Sequence, residues 1–169
     1  MCIRDSCASM EYKQILQELK SGQYHPVYFL SGEEPYYIDA VSNYIEHHIL
    51  DEAAKGFDQS VIYGQDMDLS EVLMHARRYP MMGDKTLVLV KEAQKLKNMD
   101  QLVSYLENPQ EKTILAFAYK KKLDGRSKWA KAVKKNSRFF EGKALRDYQI
   151  ATFIAVSYTH LRAHETSLH

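Results

Sequence analysis

Two uninterrupted apolar runs constrain this chain more than any other feature. They are Leu87-Val88-Leu89-Val90, entered from Thr86, and Ile114-Leu115-Ala116-Phe117-Ala118, entered from Thr113. Such runs are short for a helix, and they lack the polar alternation of a strand with one wet face. They fit strands covered on both faces. Strands of that kind belong to parallel sheets, whose neighbours are joined by crossovers. Between the two runs, residues 98–106 place Leu102, Tyr105 and Leu106 at helical spacing, and Pro109 breaks the pattern. The unit is strand–helix–strand, and its crossover is expected to be right-handed.

The rest of the chain repeats the alternation. Further strands are expected over 27–30, 59–63 and 138–140. Helices are expected over 11–20, 35–50, 67–78 and 126–135. The first carries Ile15, Leu16 and Leu19 on one face and ends at Ser21-Gly22. The third carries Leu69, Val72, Leu73 and Ala76. No Asn-Gly or Asp-Gly hairpin joins two strong strands, since Asp124-Gly125 follows a lysine run and precedes a helix. The expected fold class is α/β: a doubly wound, mostly parallel five-stranded sheet over residues 10–142. Residues 143–155 read as the start of a truncated second, helical domain. Residues 1–9 and 156–169 read as a non-native-looking leader and tail, and they are set apart from fold reasoning.

Composition excludes several function classes. No apolar run approaches the ~20 residues of a membrane span, so no membrane partner is expected. The cysteines are Cys2 and Cys7, so the body holds no disulfide scaffold, which fits a reducing, cytoplasmic setting. His47 and His48 are consecutive and point apart on a helix, and the tail holds three of the seven histidines without a fixed scaffold. No metal site is expected, and no nucleophile or acid–base motif is legible, so no catalytic residue is assigned. With 23 basic and 22 acidic residues the net charge is +1, so any role for charge must come from local clustering.

In a doubly wound sheet, the turn after the first strand is where nucleotides bind. A phosphate loop needs glycines, a lysine for the phosphates and a hydroxyl for Mg²⁺. From Gly32 the sequence runs through Glu33, Glu34, Pro35, Tyr36 and Tyr37 to Ile38 and Asp39. Ile38 and Asp39 occupy the lysine and hydroxyl slots, and Tyr37 replaces the second glycine. Glu33 or Glu34 can supply, from within, the anion that a helix N-terminus attracts. The strand over 86–90 runs into Lys91-Glu92, which puts a cation where a Mg²⁺-holding carboxylate is needed. The phosphate loop is degenerate, and no nucleotide cofactor is expected.

Two further segments carry candidate contacts. After the helix stopped by Pro80, Tyr79, Met81 and Met82 lie on a short loop that Gly83-Asp84 turns into the next strand. Aromatic–methionine clusters suit binding surfaces; the other reading is helix-end packing against the body. Residues 112–138 hold ten basic residues and one acidic one, a local charge of +9. Lys120, Lys121, Lys122, Arg126 and Lys128 are its candidate contacts to DNA or an acidic partner. The other reading is a solvated helix face, since Trp129 and Tyr119 are the few aromatics at hand for base stacking.

Taken together, residues 26–39, 76–96 and 113–133 resemble the delta-subunit family of the bacterial DNA polymerase III clamp loader. The resemblance spans roughly residues 10–154. It implies an AAA+-like first domain that binds and opens the ring-shaped sliding clamp during DNA replication, without hydrolysing ATP itself. It implies a non-catalytic subunit of a polymerase holoenzyme, partnered by the sliding clamp (the beta subunit) and by the other loader subunits. The family's chain continues into a second small domain and a helical collar. Its clamp-contacting position falls on Tyr79, Pro80, Met81 and Met82, with Pro80-Met81 in place of the family's Leu-Phe pair. Two other classes stand beside this reading: a divergent P-loop ATPase, and a basic α/β nucleic-acid-binding module.

Overall fold

Leu87, Val88, Leu89 and Val90 are all fully buried because consecutive residues of a strand point to opposite faces, and here both faces are covered. In the computed structural model, which describes residues 2–142 with side chains from Glu11 onward, that strand is β3 (Thr86–Lys91). The other strands are β1 (Val27–Gly32), β2 (Gln59–Tyr63), β4 (Thr113–Tyr119) and β5 (Arg138–Gly142). Every pairing is parallel, in the order β2-β3-β4-β1-β5. The α-helices are α1 (Cys2–Lys20), α2 (Pro35–His48), α3 (Glu52–Asp58), α4 (Leu69–Ala76), α5 (Leu102–Glu107) and α6 (Lys128–Asn136).

Two cores result. Tyr28, Leu30, Leu87, Leu89, Ile114 and Ala116 face α1, α2 and α3, where Ile15, Ile38, Val41, Ile45 and Ala54 meet them. Val27, Phe29, Val88, Val90, Leu115 and Phe117 face α4, α5 and α6, meeting Leu69, Leu73, Tyr105 and Val133. The doubly wound architecture expected from the alternation is present, and the sheet is parallel throughout.

Several boundaries depart from expectation. The first helix begins at Cys2 rather than at residue 11, since no glycine or proline interrupts the stretch before Gly22. Ser31-Gly32 is not a turn but the end of β1, because β5 continues the ladder to Gly32↔Gly142. The helix α3 occupies a stretch for which the sequence pattern predicts no element. The expected helix over 98–106 opens as a 3₁₀ turn, Met99–Gln101, after Asn98 at a positive φ of 62°. Arg126 lies ahead of α6, which Ser127 caps by accepting the Ala130 N–H at 3.4 Å. Residues 143–155, expected to start a second helical domain, and 156–169, expected to be a non-native-looking tail, lie outside the described residues.

Candidate functional site

All strands run the same way, so the sheet has one C-terminal edge and one N-terminal edge, and the candidate residues divide between them. At the C-terminal edge, Gly32 sits where the phosphate loop would begin. Its φ is 135°, and a β-carbon there would lie 2.0 Å from the Gly142 carbonyl oxygen. Glycine is required for the approach of β5 to β1. The Gly32 N–H donates to the Lys121 carbonyl at 3.0 Å, so it is already engaged. Glu34 is the N-cap of α2, and its carboxylate accepts the Tyr36 N–H at 3.3 Å. Pro35 fills the first helical position, where its missing N–H costs nothing. Ile38, in the lysine slot, is fully buried in the core, and Glu33 is exposed.

A cation of this crevice stands just past the end of β4. Lys120 Nζ lies 3.0 Å from Asp39 and 3.5 Å from Glu92, and the Lys120 main-chain N–H donates to Gln94 Oε1 at 3.1 Å. Burial opposes the lysine's charge, but the bond to Asp39 and the field of Glu92 outweigh it and raise the pKa above the ordinary value. Lys120 is therefore not a free contact for DNA. It neutralises the degenerate phosphate loop from inside. Lys91, at the metal-carboxylate position, pairs with Glu46 of α2 at 2.7 Å.

At the N-terminal edge lies the apolar loop. Asp68 caps α4 by accepting the Glu71 N–H at 3.3 Å, and the apolar face of α4 is buried. The last turn closes through the Arg77 N–H to Leu73 (3.0 Å) and the Arg78 N–H to His75 (3.3 Å). Pro80, lacking an N–H, prevents a further turn. The next three main-chain N–H groups turn to one carboxylate. Met81 donates to Asp58 Oδ1 at 2.6 Å, Met82 to Oδ2 at 2.9 Å, and Gly83 to Oδ2 at 2.6 Å. Asp58 is 3% exposed and ends α3. The Met81 N–H, joined by those of Gly83 and Met82, holds its carboxyl below the usual range against the opposing effect of burial. Tyr79, Met81 and Met82 are 71%, 77% and 62% exposed, so they are not helix-end packing.

Asp58 escaped the sequence reading because α3 did. A signal existed: Asp51-Glu52-Ala53-Ala54 has helix-start chemistry, and an acid at a helix C-terminus opposes the dipole, so its charge is satisfied from elsewhere.

The basic stretch divides. Arg138 pairs with Glu18 at 3.1 Å. Lys121, Lys122, Arg126 and Lys128 are exposed, and Lys131 and Lys135 join Lys128 along α6 at helical spacing. None of these six forms an ion pair among the described residues. Trp129 and Tyr119 pack against Phe29, with ring centroids 6.2 and 5.4 Å away, and so are turned toward the core rather than offered to bases. Among the described residues no three His, Cys, Asp or Glu side chains are grouped to hold a metal. Nor is any helix there long and apolar enough to cross a membrane.

Residues 28–143 match the family model described as DNA polymerase III, delta subunit. The chain is 33% identical over 150 residues to DNA polymerase III subunit delta of Bacillus subtilis (strain 168), covering 82% of this chain and 43% of that protein. The solved structure of the Bacillus subtilis DNA clamp loader delta protein is similar, with a TM-score of 0.72 and 31% identity. That match covers 84% of this chain and 45% of the other. The chain thus spans less than half the length of these relatives.

Proposed function

The chain belongs to the DNA polymerase III delta-subunit family, and from that premise we propose that it binds and opens the sliding DNA clamp without hydrolysing ATP. The observation that carries the proposal is the loop at the N-terminal edge. Tyr79, Met81 and Met82 are held largely exposed by a backbone that is itself tied down. Burying such side chains contributes roughly 1.5–3 kcal/mol each, and leaving them in water forgoes that gain until a partner covers them. With Pro80 they form a compact apolar projection suited to a pocket on the clamp. The other loader subunits are the further partners of this reading.

The test is binding to purified sliding clamp. Met81→Ala combined with Met82→Ala should weaken it at least about tenfold, since each 1.4 kcal/mol is a factor of ten. The loss should be insensitive to salt, as apolar contacts are. Unchanged affinity would overturn the assignment of the loop.

A second contact is favoured by the six cations of the basic stretch that form no ion pair among the described residues. Lys121, Lys122, Arg126 and Lys128, extended by Lys131 and Lys135, suit the phosphate backbone of DNA, with no aromatic platform for reading bases. The ATPase alternative finds no support in a crevice where Ile38 is buried and Lys120 is held between two carboxylates.

A further inference from the structure

We propose that Asp58 is the positioning residue of the contact loop, fixing its backbone so that the apolar side chains stay turned to solvent before the partner arrives. The inference rests on the reading of residues 79–82 as the clamp contact, and it goes on to ask what keeps that contact ready.

The geometry is specific. One carboxylate accepts three successive main-chain N–H groups, those of Met81, Met82 and Gly83, at 2.6, 2.9 and 2.6 Å. The residues are 23 to 25 positions apart in sequence and belong to different elements. Asp58 is almost wholly buried, so water competes little with these bonds.

Gly83 is shaped to the same end. A β-carbon there would lie 3.3 Å from Ala54 Cβ and 3.4 Å from Asp58 Oδ2. Its absence lets the loop backbone settle against the last two turns of α3. An aspartate at the C-terminus of α3 opposes the helix dipole, and the three loop N–H groups offset that. The residue serves the loop rather than its own helix.

A loop bearing three large apolar side chains, if free, lowers its energy by folding them onto the nearest apolar surface. Re-extending them on binding would then cost affinity. A backbone tied in place removes that cost in advance. Asp58 therefore strengthens partner binding without touching the partner.

The experiment measures the affinity of the full chain for purified sliding clamp alongside amide hydrogen exchange, for wild type, Asp58→Asn, Gly83→Ala and the Met81→Ala/Met82→Ala pair. In Asp58→Asn, exchange at Met81, Met82 and Gly83 should accelerate while Leu87 and Leu89 stay protected. Affinity should fall about tenfold, the scale of re-ordering two or three side chains. A role in global stability would instead move the strand amides together with those of the loop. Fast loop exchange with unchanged affinity would overturn the proposal, and a weakened double-Met variant would then show that the loop is still the contact. Normal binding by the double-Met variant would remove the contact reading and this proposal with it. Should Asp58→Asn fail to fold, Gly83→Ala decides: it keeps the carboxylate but crowds Ala54 Cβ at 3.3 Å, so that the loop or α3 must give by a few tenths of an ångström, and full affinity with fast-exchanging loop amides overturns the proposal.

Discussion

Met81 and Leu89 carry similar apolar bulk, and the structure puts them to opposite uses. Leu89 is fully buried under α1, α2 and α3, and Met81 is 77% exposed. Leu89→Ala should destabilise the fold by about 2–5 kcal/mol, through lost transfer energy and a residual cavity. Met81→Ala should stay within about 0.5 kcal/mol of wild type. Denaturant unfolding of both variants checks this, and equal losses would identify Met81 as packing. Asp58 adds a pH dependence. Its three N–H bonds depress the folded pKa, so its contribution is complete above the unfolded value of about 3.9 and is withdrawn as pH falls through the folded value. As pH falls below about 4, the ordinary carboxylate value, Asp58→Asn should lose less stability than wild type. Parallel stability curves would mean that the carboxylate titrates alike in both states.

At the scale of elements, the weak point is the junction of β1 and β5. Gly32→Ala would place a β-carbon 2.0 Å from the Gly142 oxygen, against rigid backbone and at a φ of 135°. The loss of stability should exceed the ~1 kcal/mol typical of point changes, with faster amide exchange in β5 than in β3. On α6, changing Lys128, Lys131 and Lys135 to Gln should weaken DNA binding and flatten its dependence on log salt by up to about 0.9 per lost phosphate contact. A binding curve whose salt slope is unmoved would make α6 a solvated face. Legibility also varied by element. The apolar runs of β3 and β4 were readable because burial on both faces leaves a short unbroken apolar stretch, and the stripe of α4 because burial on one face leaves a period of 3.6. The short helix α3 holds Gly56 and spans too few residues to show a period. The 3₁₀ entry to α5 depends on the positive φ of Asn98, for which its residue type is permissive rather than diagnostic.

Across the whole molecule, the two edges of one parallel sheet have separate characters. The C-terminal edge, where such folds hold nucleotides, is closed by its own charges: Glu34 on the helix N-terminus, and Lys120 between Asp39 and Glu92. Calorimetric titration with Mg-ATP should give no heat of binding, and micromolar binding would overturn that reading. The N-terminal edge carries the apolar loop on Asp58. By itself the sequence determined the strands, their parallel order of travel, the helix stopped at Pro80, and the missing lysine and hydroxyl of the phosphate loop. Each of these follows from local rules, since the direction of a side chain and the φ of a proline depend on near neighbours alone. It took the folded chain to bring Asp58 to Met81–Gly83, Lys120 to Asp39 and Glu92, and Gly32 to Gly142. Those pairings join residues far apart in the chain. Their distances are set by which strand ends the order β2-β3-β4-β1-β5 brings together, and a polar side chain bears no periodic mark of the partner it will meet there.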